Sequence, residues 1–85
     1  MSFQNLPQEI AKKCAEIQIS AYEHFGINSL PTADKELKEF RSWMADQLRK
    51  TSWFNLIDDN VIEYLEDKYN AHEIAFVISN MTTIF

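Results

Sequence analysis

Glycine is nearly missing from this sequence: there is one in 85 residues, beside two prolines and one cysteine. Each scarcity excludes something. Phosphate-cradling loops and tight hairpins draw on several glycines, so neither a P-loop nor a dinucleotide fingerprint can be written on this chain. The rarity of Gly and Pro inside the periodic stretches favours helices over an all-β meander. A lone Cys14 excludes an intrachain disulfide scaffold and reads as a small core hydrophobe. The opening Met1-Ser2-Phe3-Gln4-Asn5 carries neither a charged nor an apolar leader region. With one unpaired thiol, the expected setting is a reducing cytoplasm. No run approaches the ~20 apolar residues of a membrane span, and no basic amphipathic helix points to a membrane surface. Positive charge is also short. Eight Lys and Arg face thirteen Asp and Glu, giving a net charge of −5. That balance disfavours a protein whose task is to neutralise phosphates, so no direct nucleic-acid contact is expected.

What the sequence does have is apolar bulk. Hydrophobic residues make up 46%, including six Phe, three Tyr and two Trp. This is too apolar for disorder and matches one all-helical domain over residues 1–85. A chain of this length buries only roughly 60% of its unfolded surface, so large aromatic side chains compensate for a thin core.

Helical spacing is legible along most of the chain. Leu6, Ile10, Cys14, Ile17, Ala21 and Phe25 recur three and four residues apart, predicting a first helix from Leu6 to Phe25. Asn5 with Gln8 reads as a capping box, Pro7 suits the first turn, and Gly26 stands where a helix is terminated. Ala11, Ala15, Ile19 and Tyr22 widen the apolar region past half the circumference, which marks a central helix or one that meets a second body. A second helix is expected from Ala33 to Lys50, capped by Thr32. Its narrow stripe is Ala33, Leu37, Phe40, Met44 and Leu48, with Asp34 and Glu36 in the first turn and Arg49 and Lys50 in the last. Between Thr51 and Ile57, Ser52 reads as the cap of a short turn whose Trp53, Phe54, Leu56 and Ile57 plug one end of a bundle. A third helix begins near Asp58 to Asn60 and ends near Tyr69, with Asn60 and Glu63 as its capping box and Val61, Ile62, Leu65 and Tyr69 inside. Asn70 and Glu73 repeat that spacing and open a fourth helix. Its stripe of Ile74, Val77, Ile78, Met81, Ile84 and Phe85 reaches the last residue. The expected fold is all-α: a compact bundle of four main helices plus one short helix, joined by short connections.

Catalytic groupings are thin. His24 and His72 are the two histidines, and neither has a second His or a Cys at metal-ligand spacing. Asp58-Asp59-Asn60 lacks the alternating oxygen ligands and the glycine of a calcium loop. Carboxylates that do acid–base work need burial to move their pKa values, and these fall on a solvent face. The expectation is therefore a non-enzyme with no metal and no cofactor.

The acidity, by contrast, is localised. Residues 1–50 hold seven acids and seven bases. Residues 51–85 hold Asp58, Asp59, Glu63, Glu66, Asp67 and Glu73 against Lys68 alone, so the whole net charge of −5 lies there. At the helical period, Asp59, Glu63, Glu66 and Asp67 share one arc of the third helix, and Val61, Leu65 and Tyr69 share another. The ridge is either a solvated face that keeps the chain soluble or a docking surface for a basic partner. Three apolar side chains fall off their stripes: Trp43, Phe76 and Ile19. Such residues are either covered by a neighbour or form an exposed patch.

In size, acidity and helical make-up the chain resembles, by type alone, proteins that act by occupying another macromolecule. These are toxin-immunity proteins, phage-encoded inhibitors of host nucleases and defence complexes, and small adaptor subunits. That resemblance implies an inhibitor or adaptor, and the acidic ridge adds a protein partner with a basic surface, of which a nucleic-acid-binding surface is one example. The candidate partner-binding residues are Asp58, Asp59, Glu63, Glu66 and Asp67, with Trp43 or Phe76 as apolar anchor. The alternatives are a self-associating helical domain forming a homodimer, and a DNA-binding regulator using Lys12, Lys13, Lys35, Lys38, Arg41, Arg49 and Lys50.

Overall fold

The computed structural model describes the backbone of residues 6–84 and the side chains of residues 6–81. Four helices follow one another: α1 (Leu6–Phe25), α2 (Asp34–Arg49), α3 (Asp59–Asp67) and α4 (His72–Ile84). A single 3-10 turn, Phe54–Leu56, lies between α2 and α3. No strand occurs among the described residues, so the all-α bundle expected from the sequence is the fold.

Helix α1 packs against α2, α3 and α4, and α4 likewise touches all three of its neighbours. Small side chains make this crowding feasible. Ala11, Cys14 and Ala21 of α1 have no exposed surface, and around them close Phe40, Met44 and Leu48 of α2, Val61 and Leu65 of α3, and Ile74 and Ile78 of α4. Each large side chain buried in this way is worth roughly 1.5–3 kcal/mol relative to exposure.

The end of α1 follows its sequence signal closely. Gly26 adopts φ +66°. Its amide donates to the Glu23 carbonyl at 3.2 Å, and the Ile27 amide to the Tyr22 carbonyl at 3.0 Å, closing the helix in a Schellman motif. The other ends depart from expectation. Helix α2 has Ala33 rather than Thr32 at its N-cap, with extended backbone and no side-chain cap bond. The turn at 54–56 starts from Trp53 without a side-chain cap, so Ser52 does not cap it. Trp53, Phe54 and Ile57 do pack on the core, but Leu56 is 54% exposed. Helix α3 starts at Asp59, inside the expected range, but its cap is Asp58 rather than Asn60: the Asp58 Oδ1 accepts from the Val61 amide at 3.1 Å. Tyr69 lies beyond the end of α3 and is exposed rather than inside.

The proposed cap of α4 fails for a clear reason. Asn70 sits in the left-handed region at φ 51°, where it reverses the chain after α3. The Ala71 amide then reaches back over it to the Leu65 carbonyl at 2.8 Å. The cap comes from across the bundle instead, where Gln18 Oε1 of α1 accepts from the Ile74 amide at 3.1 Å. Glu73 is engaged by Arg41 rather than by its own helix terminus. The stripe of α4 is buried at Ile74, Val77, Ile78 and Met81. Asn5 and the side chains of Ile84 and Phe85 lie outside the described residues.

Candidate partner-binding surface

Helix α3 is amphipathic in the simplest way. Val61 and Leu65 are fully buried, while Asp59, Glu63, Glu66 and Asp67 are exposed. Four of its nine residues are acidic and none is basic. Among the described residues no ion pair or hydrogen bond engages these four carboxylates. Asp58 differs from them, since one of its oxygens is held by the Val61 amide and serves the helix start. Asp59, Glu63 and Asp67 follow one another at four-residue intervals, and beside them lies a shallow groove of about 220 Å³ lined by Asn60, Glu63, Tyr64, Asp67 and Lys68. The Tyr64 hydroxyl at this groove accepts from Gln8 Nε2 of α1 at 3.3 Å.

The distribution of these charges runs against the helix itself. Anions suit a helix N-terminus and oppose its C-terminus. Asp58 and Asp59 obey that rule, but Glu66 and Asp67 occupy the last turn of α3, which holds no basic residue of its own and has Lys68 as the cation at its C-cap. Like charges four residues apart cost a further few tenths of a kcal/mol per pair, and both Asp59–Glu63 and Glu63–Asp67 have that spacing.

The two candidate anchors have different surroundings. Trp43 of α2 is half-buried. Its indole stacks on the His24 imidazole, with centroids 4.7 Å apart and planes 21° apart, and meets Phe25 edge-on at 6.4 Å. The stack of His24 on Trp43 has no signal in sequence spacing. Phe76 of α4 remains 49% exposed, yet one face is occupied. The Arg41 guanidinium of α2 lies 4.2 Å from its ring centroid, held by Arg41 Nε donating to Glu73 Oε2 at 2.7 Å. Ile19, 57% exposed, has neither kind of cover.

The basic residues are interleaved with acids. Arg41 pairs with Glu73 and Arg49 with Asp46. Lys12 and Lys13 flank a hollow shared with Glu9 and Glu16. Cys14 is enclosed, and burial pushes its thiol from 9.0 up to about 12. No helix among the described residues is long and apolar enough to cross a membrane, and no group of three or more His, Cys, Asp or Glu among them is placed to hold a metal ion. Compared with protein-family models, with curated proteins and with solved structures, the chain matches none.

Proposed function

We propose that this protein is a small protein–protein interaction module that occupies a basic surface of a partner protein, as an inhibitor or adaptor does. One observation carries the reading. The exposed face of α3 concentrates unpaired carboxylates, two of them in the last turn, where they weaken the helix that bears them. A face that served only solubility has no need of anions at the negative end of a helix dipole. Residues that break a local rule without a structural gain are expected at functional surfaces. Asp59, Glu63, Glu66 and Asp67 would meet Lys and Arg on the partner, and that complementarity would speed encounter and fix orientation. A groove built to bind phosphates is one surface of this kind, which suits an immunity-type or phage anti-defence role in the cytoplasm. Asp58, Trp43 and Phe76 are assigned lesser parts: Asp58 sets the start of the ridge, and Trp43 on α2 and Phe76 on α4 stand on other helices as secondary apolar contacts.

The test is capture from the native cell with the wild-type protein and with the double variant Glu63→Lys, Glu66→Lys, both shown to be folded by circular dichroism. The expected result is a protein with a basic surface that is retained by the wild type, released by moderate salt and lost with the double variant. Equal retention by both would overturn the reading.

Self-association is the second reading, favoured by Ile19 at 57% and Phe76 at 49% exposure. Light scattering during size-exclusion chromatography decides it: a 10 kDa species at high micromolar concentration would remove it. A DNA-binding role has less support, because the cations that would contact phosphates are paired with or flanked by acids.

A further inference from the structure

No further inference is drawn: the strongest candidate, the groove between the end of α1 and the middle of α2 where His24 stacks on Trp43, is lined by Lys38, Glu39 and Asp46 in nearly balanced charge, and nothing in the structure shows what covers it.

Discussion

At the scale of single residues, two positions carry strong constraints for opposite reasons. Gly26 is constrained by its backbone. A Cβ added there would meet nothing within 4 Å, so any cost of substitution arises from φ +66° alone. Gly26→Ala should lower stability by about 1 kcal/mol through that left-handed strain. Urea denaturation would show it as a lower midpoint with an unchanged m-value. Cys14 is constrained by its surroundings. A thiol that burial holds at about 12 is unreactive near neutral pH, because the thiolate is the nucleophile. Iodoacetamide at pH 8 should therefore label the folded protein far more slowly than the urea-unfolded chain; equal rates would show that Cys14 is not enclosed. The same burial links stability to pH. The folded state holds the thiol proton above the pH at which the unfolded chain releases it. Cys14 thus adds to stability up to about pH 9 and loses that contribution as the pH climbs toward about 12.

At the scale of elements, the four helices share one apolar core and are tied further by a few polar contacts that cross between them. The Gln18 side chain supplies to α4 what a local cap would otherwise supply. Gln18→Ala leaves the Ile74 amide without that partner and should cost about 1 kcal/mol. Hydrogen exchange at Ile74 should quicken while the centre of α2 is little changed. Arg41 joins α2 to α4 twice, through Glu73 and over the face of Phe76. Its side chain is 30% exposed and that of Glu73 18% exposed, so the pair is screened less than a fully exposed one. A double-mutant cycle between Arg41→Ala and Glu73→Ala should return a coupling of about 0.5–1 kcal/mol. The Asp46–Arg49 pair, with both side chains near 60% exposed, should return almost none. These contacts also mark the limit of what is legible in the sequence. Helix α1 reads correctly from Leu6 to Phe25, because its apolar period and Gly26 are signals within the segment itself. The start of α4 does not read, because its cap comes from Gln18, 56 residues away. Asn70 looks like a cap in sequence but is used for its tolerance of positive φ. The exposed acids of α3 were legible because a helical period alone separates them from Val61 and Leu65. The cover on Trp43 and Phe76 was not, because His24 and Arg41 belong to other helices.

For the molecule as a whole, the net charge of −5 is a neutral body carrying an acidic helix, and that division sets stability against binding on one surface. Replacing Glu63 by Lys places a cation four residues from both Asp59 and Asp67 and turns two repulsions into attractions. Replacing Glu66 by Lys sets a cation in the last turn of α3, where the helix dipole favours it. Each change adds two charges, so the double variant has a net charge of −1 and less self-repulsion. Glu63→Lys with Glu66→Lys should therefore raise stability by about 0.5–1.5 kcal/mol, measured as a higher urea midpoint at low salt, with the gain shrinking as salt screens it. If the ridge serves a basic partner, this more stable protein loses partner capture. A variant that gains stability and keeps its partner would identify the acids as a solubilising face. One that loses stability would show that the carboxylates hold structural contacts after all. Measuring stability and capture on the same variant thus separates the structural role of α3 from its proposed role in recognition.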